Sequence, residues 1–137
     1  MAAAAEQLLE YEISPMAPDE FSWVAKSWKL GLRFGPAYRH LPPPVAFSRI
    51  NPIVDGQLLS PRLHVIVARD PRRELGVQTL FGFIAFIGDT LRYASTRRPF
   101  RRCGVCRALL ATAPGLVWYS TRSEYDPIWE RHGMRRR

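Results

Sequence analysis

Cysteine and lysine are both scarce in these 137 residues: two cysteines, at 103 and 106, and two lysines, at 26 and 29. A single pair of cysteines three positions apart excludes the disulfide framework that staples small secreted domains. No apolar run approaches the roughly 20 residues that a membrane-spanning helix needs; the longest, Leu80 to Ile87, is strand-sized. The opening Met1 to Ala5, followed by Glu6 and Glu10, lacks the basic and long apolar regions of a signal peptide. His40, His64 and His132 show no ligand-like spacing, so no metal site is expected. Without an internal repeat or a compositional break, the chain is expected to be one domain over residues 1–137. The expected location is the cytoplasm, with no membrane partner.

What is present is apolar and basic. A chain 47% hydrophobic and 12% aromatic holds enough apolar surface to fold, which excludes a disordered basic tail. Twenty Lys+Arg against twelve Asp+Glu leave a formal charge of +8, carried almost wholly by arginine. Such a balance suits a nucleotide, nucleic acid or an acidic protein surface, although a GC-rich genome would give the same usage.

Taken in order, Leu9 to Ile13 reads as a first strand ending at Pro15. Pro18-Asp19-Glu20 opens a helix whose apolar face would be Phe21, Val24, Ala25, Trp28 and Leu32, stopped by Gly31 and Gly35-Pro36. A second helix, weakened by Pro52, is expected over 45–59, with Phe47, Ile50, Val54 and Leu58 recurring. Three strands then follow as an antiparallel meander: Leu63 to Arg69, Val77 to Gly88 and Thr90 to Arg97. Gly82 marks a bulge and Gly88-Asp89 makes a turn. Gly104 to Ala113 reads as a third helix. Leu116 to Ser120 is a further strand, parallel to the one before it if the crossover is right-handed. A turn and short helix cover 123–133, and Met134 to Arg137 reads as a frayed basic end with no further strands.

One stretch concentrates chemistry. From Leu91 to Leu110 the pattern is a strand, a basic loop with one glycine, and the first turns of a helix. That handover leaves backbone N–H groups unpaired at the helix start, which suits an anion such as a pyrophosphate. Arg97, Arg98, Arg101, Arg102 and Arg107 surround the point and deepen its positive potential.

Arg101-Arg102-Cys103-Gly104-Val105-Cys106 resembles the Arg/Gln-x-x-Gly-x-Gly/Ala signature of the GCN5-related N-acetyltransferase (GNAT) superfamily. Ser95 to Phe100 before it and Arg107 to Leu110 after it extend the likeness, which is greatest to small GNAT-like proteins of bacteriophages and prophages. The resemblance implies an α/β (α+β) fold: a mixed, mostly antiparallel central sheet flanked by helices, with a pyrophosphate-binding loop between the fourth strand and the third helix. It implies acetyl-CoA as cosubstrate, held by Ser95, Thr96, Arg97, Arg101, Arg102, Cys103, Gly104, Val105 and Cys106. The acetyl group would pass to an amine by direct attack. The acceptor is unnamed; a host protein or a small amine would serve. A phage origin would place the protein in the cytoplasm of a bacterial host cell, with association with a virion left open. The loop and helix after residue 38 stand where this superfamily shapes its acceptor pocket.

Acyl transfer from a thioester needs a polarised carbonyl, an amine freed of a proton, and a stabilised leaving thiolate. By the same resemblance a backbone N–H between Tyr93 and Thr96 polarises the carbonyl, and Tyr125, with Tyr119 second, protonates the thiolate. Asp70, Glu74 and Asp89 are acids near the strands that could take the proton of the amine, but each is better read as a solvated turn residue. Cys106 departs from the signature, where Gly or Ala is usual. The Cys103-x-x-Cys106 pair is compatible with a redox pair at a helix start or with small packing residues. Two other readings stay open: a GNAT fold kept only as an interaction module, and a nucleic-acid-binding surface built from the arginines with Trp118 and Tyr119.

Overall fold

Six strands lie in one sheet in chain order, as seen in a computed structural model that describes residues 10–71, 80–101, 103–120 and 126–136. The strands are β1 (Glu12–Pro15), β2 (His64–Arg69), β3 (Leu80–Ile87), β4 (Thr90–Thr96), β5 (Trp118–Tyr119) and β6 (Arg135–Arg136). The helices are α1 (Phe21–Arg33), α2 (Pro43–Leu58), α3 (Val105–Ala111) and α4 (Asp126–Arg131). Strands β1 to β4 pair antiparallel, whereas β5 pairs parallel to both β4 and β6. This is the mixed, mostly antiparallel sheet flanked by helices that the resemblance implies.

Each face of the sheet packs on its own pair of helices. On one, Val24, Trp28 and Leu32 of α1 and Ala46, Ile50 and Val54 of α2 meet Val65, Val67, Phe83 and Ala85. On the other, Val105, Leu109 and Leu110 of α3 and Trp129 of α4 meet Ala68, Phe81, Ile84 and Leu91. The α1 stripe is the expected one at 24, 28 and 32, but Phe21 stands outside it, exposed. The period-2 alternation of β3 slips at its start: Ala68 pairs with Gly82 and Arg69 with Leu80, so Phe81 is the extra residue of a bulge. Gly82 sits beside that bulge because a Cβ there would lie 2.6 Å from the Ser95 carbonyl oxygen.

Five elements differ from the sequence expectation. The first strand sits further along, because its pairing with β2 continues until the Met16 N–H donates to the Val65 carbonyl at 2.9 Å. Pro18–Glu20 is a 3-10 turn preceding α1, closed by the Ala17 N–H donating to Glu20 Oε1 at 2.7 Å. Gly31 does not stop α1. It lies within the helix, where a Cβ would come within 1.6 Å of the Tyr93 hydroxyl, so the glycine makes room for an aromatic ring of β4. The C-terminal end is not frayed: Met134 is buried in the second core, the Arg135 N–H donates to the Val117 carbonyl at 2.8 Å, and a sixth strand forms. Helix α2 begins at Pro43 and runs through Pro52, which lies exposed.

An ion pair that the sequence does not announce joins the front of the chain to the sheet. Arg69, 1% exposed, donates from Nε to Glu20 Oε2 at 2.7 Å and from Nη2 to Glu20 Oε1 at 2.6 Å. It also donates to the Pro15 carbonyl at 3.0 Å and to the Ser14 hydroxyl. The guanidinium thereby fastens β1 and the turn before α1 onto β2.

Candidate functional site

Strands β4 and β5 share only two paired positions, Thr90 with Trp118 and Leu91 with Tyr119. The Ser120 N–H still donates to the Leu91 carbonyl at 3.0 Å, and beyond that β4 continues alone to Thr96. The strands therefore part, and a cavity of about 830 Å³ occupies the side of the gap that faces α3 and α4.

The wall of this cavity follows from the local sequence. Ala94, Ser95 and Thr96 supply the β4 side. The Arg97 N–H donates to the Phe81 carbonyl at 2.8 Å, so by antiparallel alternation Ser95 and Tyr93 also face β3, and the N–H groups of Ala94 and Thr96 face the gap. After β4 a short 3-10 turn, Arg98–Phe100, carries the chain across the cavity mouth. There Arg101 donates from Nε to the Thr96 carbonyl at 3.2 Å. Gly104 then takes φ +81°, a left-handed value that favours glycine, and α3 begins at Val105. The Ala108 N–H is the first to bond back, to the Gly104 carbonyl at 3.0 Å. The amides of Val105, Cys106 and Arg107 thus belong to the unpaired first turn. Leu110 of α3 and Ile128, Trp129 and His132 of the α4 segment close the far wall.

Of the predicted cofactor residues, Ser95, Thr96, Arg101, Cys103, Gly104, Val105 and Cys106 line this one cavity. Arg97 is directed elsewhere: its guanidinium lies over the Phe100 ring and donates to the Leu80 carbonyl at 3.4 Å. Arg102 and Tyr125 lie outside the described residues, as does Glu74. The structure does not bring Tyr119 to the cavity wall. It is 2% exposed in the core, and its hydroxyl donates to Glu130 Oε1 at 2.9 Å. Asp89 is an exposed turn residue whose carbonyl accepts the Val117 and Trp118 N–H groups.

The cavity wall is cationic among the described residues, with Arg101 and Arg107 and no carboxylate. Burial pushes the Cys106 thiol up to about 11, so it stays protonated at neutral pH and is a poor nucleophile. The Cys103 Sγ contacts the Arg101 carbonyl at 3.6 Å. Among the described residues no group of three His, Cys, Asp or Glu side chains is placed to hold a metal ion, and no helix is long and apolar enough to cross a membrane. Sequence reasoning missed the contribution of Ile128, Trp129 and His132. Their helix was legible, but the face it turns to the cavity depends on how α4 packs.

No protein-family model matches the chain, and no curated protein matches it by sequence. Solved structures do match. A protein of Pyrococcus furiosus described as a candidate acetyl transferase is 19% identical over 93% of this chain and 95% of its own, with a TM-score of 0.63. The ribosomal-protein-alanine N-acetyltransferase of Brucella melitensis biovar Abortus 2308 is 16% identical over 90% and 89%, with a TM-score of 0.59. PaiA N-acetyltransferase of Thermoplasma acidophilum, solved in complex with coenzyme A, is 14% identical over 77% and 70%, with a TM-score of 0.55. At these identities the likeness establishes the fold, which is that of the GNAT acetyltransferases.

Proposed function

We propose that this GNAT fold binds acetyl-CoA in the cavity between β4 and α3 and transfers the acetyl group to an amine by direct attack. The observation that carries the reading is the convergence, in one cavity, of a strand edge freed by the parting of β4 from β5, a left-handed glycine at a helix start, and two arginines. The pyrophosphate would lie against the amides of Val105 to Arg107, with Arg101 and Arg107 as counter-charges. The pantetheine arm would run along Thr96 to Ala94, where two backbone N–H groups face the gap. Such an edge can polarise a thioester carbonyl as its oxygen takes on negative charge. Direct transfer is favoured over an acyl-cysteine intermediate because the Cys106 thiol is held protonated. The solved relative with bound coenzyme A supports the choice of ligand class. The acceptor side rests on the α1–α2 connection, and a protein amine or a small amine both suit it. A phage or prophage source is the reading of the loop residues alone.

The test is calorimetric titration of the whole protein with CoA and with acetyl-CoA, repeated on Gly104→Asp and Gly104→Asn. A Cβ at 104 meets no atom within 4 Å, and Asn and Asp both tolerate left-handed backbone, so the two variants share the conformational cost and differ in charge. Micromolar binding kept in Gly104→Asn and lost in Gly104→Asp is expected. Equal affinity in both removes the pyrophosphate assignment, and no binding by the unaltered protein removes acetyl transfer as its activity.

A further inference from the structure

We propose that His132 is the proton carrier of this transfer, its Nε2 taking the proton that the attacking amine releases and delivering it to the departing thiolate. The proposal rests on the acetyl-transfer reading above and adds to it a residue that the signature does not contain.

Two geometric facts place the imidazole. First, His132 lines the cavity, and its Nδ1 lies 2.9 Å from the Ile128 carbonyl. A carbonyl oxygen has no proton to give, so the bond requires hydrogen on Nδ1, and the neutral ring carries its lone pair on Nε2. The edge bearing Nδ1 is turned back onto its own helix, which leaves the Nε2 edge as the outward one. Second, the chain direction puts this residue at the closed end of the gap. Strands β5 and β6 are parallel, so the connection between them, which includes α4, runs back against β4 before β6 begins. The Met134 N–H then donates to the Trp129 carbonyl, and Arg135 stands opposite Trp118, itself opposite Thr90. The Gly104 loop follows Thr96 at the open end. A thiol-bearing arm anchored by its pyrophosphate at the open end and laid along β4 therefore carries its sulfur toward Trp129 and His132.

Among the described residues, the other groups on the wall leave this role unfilled. Arg101 and Arg107 are hydrogen-bond donors only and offer no lone pair to take a proton. The Cys106 thiol is raised by burial, and the Cys103 thiol contacts the Arg101 carbonyl. Ser95 and Thr96 hydroxyls do not titrate near neutrality. Among the described residues, the charged groups nearest His132 along the chain are Glu130, which accepts the Tyr119 hydroxyl, Arg131 on α4, and Arg135 and Arg136 on β6. Histidine is the side-chain type that gains and loses a proton in this range. In the step itself a C–N bond forms at the thioester carbonyl and the C–S bond breaks. One proton leaves nitrogen and one arrives at sulfur, and the imidazole returns to its starting form.

The experiment follows the imidazole signals of His40, His64 and His132 by NMR in the full-length protein. It compares CoA with desulfo-CoA, which lacks only the sulfur, and the His132 signal is the one missing from His132→Gln. CoA is expected to shift the His132 signal and its titration midpoint, desulfo-CoA to do so distinctly less, and neither to move His40 or His64. His132→Gln is also expected to slow acetyl-CoA hydrolysis by about 10²-fold and to erase its acid limb, while CoA affinity is kept. A His132 signal indifferent to the sulfur, with CoA bound, overturns the assignment, as does an unaltered pH profile of hydrolysis in the variant. Absence of CoA binding instead overturns the acetyl-transfer reading beneath it.

Discussion

At the scale of single residues, the candidate site turns on two side-chain environments that differ within three positions of sequence. Gly104 is there for its left-handed backbone, since nothing crowds a Cβ at that position. Cys106, in the first turn of α3, is half-buried, and its thiol is held up at about 11 against an ordinary 9.0. This elevation has a consequence for stability. Between about pH 9 and about pH 11 the unfolded thiol is ionised while the folded one keeps its proton, so the folded state binds more protons and stability falls as pH rises through that window. Urea midpoints at about pH 8 and about pH 10 should therefore drop further in the unaltered protein than in Cys106→Ala. An equal drop would show that burial does not hold the thiol protonated. A residue's neighbours along the chain made Gly104 and the arginines legible. The partner of the Tyr119 hydroxyl was not, because it is set by how α4 packs against β5.

At the scale of elements, α1 and β4 show how a glycine can be read for the wrong reason. Gly31 looks like a helix stop, and in a sequence without partners that is the sensible expectation. Within the fold it sits under Tyr93, whose ring stacks on Trp28 at 5.6 Å between centroids with an interplanar angle of 13°. Gly31→Ala should thus lower stability by about 1–2 kcal/mol, because displacing the stacked ring costs more than the roughly 1 kcal/mol that alanine contributes to helix propensity. Denaturant unfolding gives the answer. A net gain of about 1 kcal/mol would mean that Tyr93 swings clear without loss. The parting of β4 from β5 is likewise an event between elements. Each strand is visible in the sequence, but how few residues they pair over is not, and the cavity exists because that number is two.

At the scale of the whole molecule, the buried Arg69–Glu20 pair links segments 49 residues apart and fixes the first strand and the start of α1 against the sheet. Breaking one side leaves a buried charge without its partner. Arg69→Met should cost about 3–5 kcal/mol, whereas Arg69→Met with Glu20→Leu should recover most of that loss. Thermal and denaturant unfolding of the two variants decide the matter. If the double variant is no more stable than the single one, the lost bonds to Ser14 and the Pro15 carbonyl matter more than the stranded carboxylate. Glu20 by sequence is an acid at a helix start and Arg69 the last residue of a strand; neither position reveals the other.

By itself the sequence determined the order of helices and strands, the antiparallel meander, and the basic glycine loop, since each depends on periodicity and turn chemistry within a few neighbouring residues. Tertiary structure decided that Met134 to Arg136 would join the sheet, that Tyr119 would be a core residue, and that His132 would face the same cavity as Ser95 and Gly104. Those outcomes depend on which buried faces meet. Contacts across dozens of residues settle that choice, and local pattern carries no record of them.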